Sequence, residues 1–417
     1  MDYRRLRVFW DLLPFRVKQA VAGRAFDRFW IRRQRRRSQQ KAVHSQEHTR
    51  RLLVDLAVIS KDDAGTGIQR VVRALALALA DDRFSGWDVQ FVAANRHSPY
   101  HGIAWPYHES AVDCSEIEAR PGDVFVGLDF SLDAVRRYGR QLMQFRRDGG
   151  TLWFLVHDLL PLEYPEWFSR NTVLRYKAWL DIIAGIADGF FCNSEQTEQQ
   201  LRCTLNARYG LSQGYKTKVL PMGYNILQTI VDPSVIVDVG VRFDLAHPFF
   251  LMVGTLEPRK GHELVIAAFE ELWADGAVQP LILVGRMGWH VENLRDYIVG
   301  HAEFGKRLLW FDDVEDVELE KIYQACEGVI IASYAEGFGL PLIEALGHQK
   351  PVLARDIPVF RSHEESGVYF FPQNASSHDL RRCIESWAGE IEAGLIKIRP
   401  PEACWADSAQ HLLRGIV

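Results

Sequence analysis

The sequence predicts two doubly wound α/β domains in tandem, preceded by a basic arm. Three observations carry this reading. Short apolar, β-branched runs recur from Leu52 to Phe371 in two sets, with helical patterns between them. Alternation of that kind builds parallel sheets covered by helices. The chain has 417 residues, long enough for two full cores. Glycine-bearing turns follow several of the apolar runs and open helices, where open parallel sheets bind ligands.

The first set of strands is read at Leu52–Ile59, Asp88–Ala93, Asp123–Leu128, Thr151–Val156, Gly189–Cys192 and Lys216–Leu220. The second is read at Phe249–Val253, Leu281–Val284, Leu308–Phe311, Val329–Ala332, Pro351–Ala354 and Val368–Phe371. Helical patterns between them include Gly67–Ala80, Asn171–Ala187 and Ser194–Ala207. Gln228 to Val241 reads as a linker. The expected domains are therefore 1–51, 52–235 and 236–403, with a final helix over 404–417. That helix shows an N-cap signal and an apolar stripe from Trp405 to Ile416.

Composition is that of a globular protein, 47% hydrophobic and 25% charged. The six cysteines are scattered, with no C-x-x-C pair. They suggest buried reduced thiols rather than a metal cluster or a disulfide framework. No signal peptide and no apolar run of membrane-spanning length is read, so a cytoplasmic location is expected. Residues 1–51 hold fifteen Lys or Arg against four Asp or Glu, a net of +11. The remainder of a chain whose net charge is −5 therefore carries −16. Leu6, Phe9, Trp10 and Leu13 recur at helical spacing, and Arg32 to Arg37 form a basic cluster. An aromatic, basic helix of this type suits an anionic membrane surface, through residues 1–37. A structural or oligomer-forming arm and a nucleic-acid contact are the alternatives. The acidic domains argue against nucleic acid.

The chemistry concentrates in Glu336-Gly337-Phe338-Gly339-Leu340-Pro341-Leu342-Ile343-Glu344. An apolar strand, Gly328–Ala332, precedes it. Gly337 and Gly339 permit close backbone approach, and Pro341 suits the first turn of a helix. A glycine turn at a helix N-terminus binds anions such as phosphate. Glu336 in the turn and Glu344 in the helix suit neutral hydroxyls beside that phosphate. The sequence Gly254-Thr255-Leu256-Glu257-Pro258-Arg259-Lys260-Gly261 follows another strand and offers two cations, a planar fork and a point charge. Val284-Gly285-Arg286-Met287-Gly288-Trp289 follows a third.

Glu336 and Glu344, with seven residues between them, resemble the E-x7-E motif of retaining glycosyltransferases of family 4. The G-T-L-E-P-R-K turn is similar to the family's diphosphate-binding turn. The V-G-x-x-G-W and T-G-I-Q-R-V turns look like those of bacterial polysaccharide and O-antigen mannosyltransferases. The resemblance covers about residues 52–417. It implies the GT-B fold, with two Rossmann-like domains facing a cleft and the final helix packing back on the first domain. It implies that Glu336 binds the transferred sugar and Glu344 the ribose. Arg259 and Lys260 would stabilise the leaving diphosphate without a metal or cofactor. Gly67, Arg286, Val314, Gly337, Phe338, Gly339 and Leu340 would complete the donor site. The segment Trp310 to Val314, with Leu319 and Tyr323, would lie against the base. His157, ending the strand Thr151–Val156, would face the transferring sugar. Thr255 stands where some relatives carry a phosphate-binding Arg, which shifts that role onto Arg259 and Lys260.

The expected activity is transfer of a hexose, mannose from GDP-mannose, with retention. The acceptor is expected to be a lipid-linked or oligosaccharide hydroxyl in cell-surface polysaccharide assembly, on the inner membrane face. A sugar-nucleotide epimerase or hydrolase, and an inactive membrane-bound assembly protein, are the rival readings.

Overall fold

The computed structural model describes residues 24–37, 49–81, 86–106, 114–225, 247–289 and 291–416. Two separate sheets follow one another in the chain. Strands β1 (Arg50–Asp55), β2 (Trp87–Ala93), β3 (His101–Gly102), β4 (Val124–Gly127), β5 (Thr151–Val156), β6 (Gly189–Cys192) and β7 (Lys216–Val219) form the first. Its seven strands run in the order β3-β2-β1-β4-β5-β6-β7. Every neighbouring pair is parallel except β2 with β3. Strands β8 (Phe250–Val253), β9 (Leu281–Val284), β10 (Leu308–Phe311), β11 (Gly328–Ile331), β12 (Val352–Arg355) and β13 (Val368–Phe371) form the second. Its order is β10-β9-β8-β11-β12-β13, parallel throughout. Helices cover both faces, so strands such as Val124–Gly127 and Leu281–Val284 are buried at every residue and read as unbroken apolar runs. This is the GT-B architecture. The antiparallel edge strand β3 is absent from the sequence reading because two residues carry no periodicity.

The helices are α1 (Arg24–Arg37), α2 (Gly67–Leu79), α3 (Leu132–Arg147), α4 (Arg170–Ile186), α5 (Glu195–Tyr209), α6 (His262–Ala274), α7 (Glu292–Val299), α8 (Asp316–Ala325), α9 (Leu340–Gly347), α10 (Ser377–Glu392) and α11 (Trp405–Gly415). Side-chain caps set several starts. Thr66 accepts from the Gln69 amide while the Gln69 side chain accepts from the Thr66 amide, a capping box that opens α2. Ser194 caps α5 through the Thr197 amide. At α11 the cap is Cys404, whose amide donates to Asp407 at 2.8 Å. Helix α11 packs on α2, across the chain from its own sequence neighbours. Trp405 anchors it, donating its indole N–H to the Asn225 carbonyl at 2.8 Å. The expected linker, Gln228 to Val241, lies outside the described residues.

Helix α1 lies against α4 and α5, with Ile31 only 1% exposed. Its arginines serve the domain. Arg35 Nε donates to the Ala184 carbonyl at 2.9 Å, Nη2 to Ala187 at 3.1 Å and Nη1 to Gly214 at 2.6 Å. Arg28 Nη2 donates to the Ala207 carbonyl at 3.0 Å. The last carbonyls of α4 and α5 have no partners within their own helices, and cations there are favoured by the helix dipole. The basic cluster is therefore partly a helix cap, which charge alone does not reveal. Phe29, 55% exposed, remains on the open side. Residues 1–23, which carry the Leu6–Leu13 stripe, lie outside the described residues.

The three Arg35 bonds are charge-assisted, so Arg35→Ala is expected to lower unfolding free energy by about 1–3 kcal/mol. The exposed neighbour Arg36→Ala should change it by less than about 0.5 kcal/mol. Urea denaturation of the two variants checks this.

Candidate active site

In the second sheet the strand order reverses between β8 and β11, which opens a crevice at their carboxyl ends. The turn after β8 and the turn after β11 meet there. The Tyr334 amide donates to the Arg259 carbonyl at 2.8 Å. Gly261 makes the approach possible: its φ is +74°, and a Cβ would stand 2.4 Å from the Ala332 carbonyl oxygen. The crevice brings Glu336 against residues far away in sequence. Arg259 Nη1 donates to Glu336 Oε2 at 2.8 Å and Lys260 Nζ to Oε1 at 2.5 Å. Ser333 Oγ adds a bond to Oε1 at 2.7 Å. Arg259 Nε also pairs with Glu257 Oε2 at 2.7 Å.

Burial alone would raise the Glu336 pKa, but Arg259 and then Lys260 outweigh it and hold the carboxyl at about 2. Glu336 is thus a fixed anion. Burial wins at Glu257 and Asp158, whose carboxyls are raised despite Arg259 nearby. For Arg259, burial opposes the charge, yet Glu336, Glu257 and Asp158 keep its pKa above the usual value.

Glu344, one turn into α9, is tied to the other domain. Its Oε1 lies 2.6 Å from Arg70 Nη2, and Tyr323 donates to Oε2 at 3.0 Å. Arg73 continues the bridge, 2.7 Å from Asp316 and 2.8 Å from Asp63. Helix α2 of the first domain is thereby latched to α8 and α9 of the second. Tyr323, read from sequence as facing a base, is fully buried and serves Glu344 instead. A second latch lies at Gly337, whose carbonyl accepts from Ser194 Oγ at 2.6 Å and Thr197 Oγ1 at 3.1 Å. A Cβ at Gly337 would meet the His157 carbonyl oxygen at 2.1 Å. The glycine read as an approach for ligand is here an approach for the facing domain.

His157 ends β5 on that facing side. Its Nε2 lies 2.9 Å from the Leu128 carbonyl, which requires the proton on Nε2 and leaves Nδ1 as an acceptor. Burial lowers its pKa, so the ring is neutral. Asn193 holds the His157 carbonyl at 2.7 Å. Asp129, 3% exposed, takes the Phe130 amide on Oδ1, while Oδ2 has no partner among the described residues.

The other expected donor residues scatter more widely. Gly67 opens α2 and faces Leu340 across the cleft. Phe338 is half-buried with its ring edge towards His363. Gly339 caps α9 against Phe360. Val314 packs on the core, and Arg286 is exposed on the turn after β9. One functional support was missed: Arg355, with no exposed surface, donates from Nε to the Ala332 carbonyl at 2.9 Å and lies 3.9 Å from the Tyr334 ring centre. It braces the turn that carries Glu336. A charge closing the apolar run Val352-Leu353-Ala354 was the available signal.

Residues 240–390, which carry these turns, belong to the family glycosyl transferases group 1. The serotype-specific mannosyltransferase WbdA of Escherichia coli is 32% identical to this chain, over 88% of this chain and 46% of WbdA. The O-antigen chain mannosyltransferase RfbU of Salmonella typhimurium is 23% identical over 53% of this chain and 57% of its own length. The chain spans about half the length of the curated relatives it matches. Among solved structures, sucrose-phosphate synthase of Thermosynechococcus elongatus superposes with a TM-score of 0.57 at 18% identity, over 88% of this chain and 95% of that one. WaaG, a glycosyltransferase involved in lipopolysaccharide biosynthesis, gives 0.51 at 14%, over 87% and 95%. These establish the fold.

The depressed pKa of Glu336 carries a pH dependence. An unfolded Glu titrates near 4.3 and the folded one at about 2. The clamp therefore stabilises fully above roughly pH 4.3, and that contribution fades as pH falls toward 2. Denaturation across this range should show an acid-side slope in the wild type, on the order of 3 kcal/mol, that Glu336→Gln lacks.

Proposed function

We propose that this chain is a retaining hexosyltransferase. It moves mannose from GDP-mannose onto a hydroxyl of a lipid-linked or oligosaccharide acceptor in cell-surface polysaccharide synthesis. The observation that carries this is Glu336, held ionised between Arg259 and Lys260 at the switch point of the second sheet. The likeness to the WbdA and RfbU mannosyltransferases supports the choice of sugar.

In this reading Arg259 and Lys260 take the diphosphate and stabilise the charge that develops as it leaves, with no metal or cofactor. Glu336 and Ser333 orient the sugar hydroxyls. His157 presents Nδ1 to the transferring sugar from the facing domain. No carboxylate is assigned as a covalent nucleophile. The departing phosphate accepts the acceptor proton on the same face, which retains configuration. The latch at Gly337 holds the cleft shut against water. The cytoplasmic membrane face, reached through residues 1–37, is the expected location. No helix among the described residues is long and apolar enough to cross a membrane.

A calorimetric panel of GDP, UDP, ADP and dTDP with their mannose, glucose and related conjugates tests the donor. GDP-mannose should bind without added metal, and Lys260→Ala should abolish the signal. Turnover by Lys260→Ala or Glu336→Ala, assayed at a temperature where the variant is still folded, should fall more than about tenfold; near-wild-type rates sink these roles. A donor ribose at Glu344 has to displace Arg70. Arg70→Ala is therefore expected to tighten GDP binding several-fold, since the competing partner is gone. Weaker binding would instead make Arg70 a nucleotide contact.

A further inference from the structure

A line of aromatic rings bridges the two domains, outside every role given above. Tyr164, Trp167 and Phe168 sit on the short turn between β5 and α4 in the first domain. Trp289 and Tyr334 follow β9 and β11 in the second. Tyr164 and Trp167 stack at 4.4 Å with an interplanar angle of 15°. Trp167 stands 6.4 Å from Tyr334, and Phe168 stands 5.5 Å from Trp289. The Trp289 indole N–H donates to the Trp167 carbonyl at 2.6 Å, tying the two halves together.

The line is continuous with the candidate active site. Tyr334 is two residues from Glu336, and its amide is bonded to Arg259. The turn carrying Trp289 rests on Glu257: a Cβ at Gly288 would be 3.0 Å from Glu257 Cγ. One side of the Tyr334 ring is held by the buried Arg355 guanidinium, and the residue is 40% exposed. Trp167, Phe168, Tyr164 and Trp289 are half-buried. Rings in a buried core are covered by neighbours, but these are fixed at their edges and open in part.

We propose that this aromatic line is the subsite for a neutral oligosaccharide acceptor. The inference rests on the transferase reading and adds to it where the acceptor chain lies beyond the reacting residue. A pyranose presents a face of C–H groups and a rim of hydroxyls. The face matches the negative face of an aromatic ring, and rings with few rotatable bonds bind at small entropic cost. A lipid surface would call for rings that project freely. These are locked by stacking, by the Trp289 bond and by Arg355, in a path that leads to Glu336. An ionic acceptor would call for charged groups among the rings, and the path is carried by aromatic side chains.

The test uses the full chain with GDP-mannose and a panel of neutral trisaccharides built on mannose, glucose or galactose, against the matching methyl monosaccharides. Trp167→Ala and Phe168→Ala are expected to raise KM for the preferred trisaccharide about tenfold or more. KM for the monosaccharide and calorimetric binding of GDP-mannose should stay within about twofold. Trp167→Phe, which keeps a ring, should recover most of the loss, and trisaccharide should quench tryptophan fluorescence in the wild type. An equal loss for both acceptor lengths overturns the proposal and makes the rings domain packing, while the transferase reading stands. So does a wild type that binds GDP-mannose but neither accepts nor binds any trisaccharide. A wild type that binds no nucleotide sugar sinks the transferase reading, and the subsite with it.

Discussion

The ion cluster of Glu336 with Arg259 and Lys260 is the interaction around which the second domain is arranged. A buried carboxylate flanked by two cations is stable only while every member is present; removing one partner of such a pair costs about 3–5 kcal/mol. The cluster constrains both turns at the carboxyl ends of β8 and β11. Gly261 has to lack a side chain, Ser333 has to face inward, and Arg355 has to hold Ala332 from beneath. The strand reversal creates the crevice, and the ions decide what shape its rim takes.

The two domains are joined by polar contacts at the working edge rather than by a purely apolar seam. Arg70 with Glu344, Arg73 with Asp316, and Ser194 and Thr197 with Gly337 join the first domain to α8, α9 and the turn after β11. Apolar packing lies beside them: α11 packs on α2, the helix that carries Arg70 and Arg73, with Trp405, Ala409, Leu412 and Leu413 buried, and Trp405 lines the same cavity as Arg70, Asp316 and Glu344.

Much of this was legible before any coordinates. The strands of both sheets were readable because parallel strands buried on two faces form unbroken apolar runs, and their ends fell within a few residues of the observed ones. Glu336, Arg259 and Lys260 were readable because each sits in a glycine-bearing turn directly after such a run, and Glu344 because it lies in the helix that the Glu336 turn opens. The identity of their neighbours was not. The family resemblance implies a phosphate for Arg259 and a base for Tyr323, but says nothing of which carboxylate each meets in the ligand-free molecule. Arg35 shows the same limit: within a basic cluster, only the position of the carbonyls of Ala184, Ala187 and Gly214 singles it out as a cap.

By itself, then, the sequence determined what is local: the alternation of strand and helix, the caps at Thr66 and Ser194, and the turns that carry charge. Backbone propensity and hydrophobic period act over a few residues and need no partner. The tertiary structure decided what depends on strand order. The reversal at β8 and β11 brings Glu336 to Arg259, the closure brings Arg70 to Glu344, and the facing turns line up Trp167 with Trp289 and Tyr334. Electrostatic and aromatic contacts act through space, and only the fold sets which side chains share it.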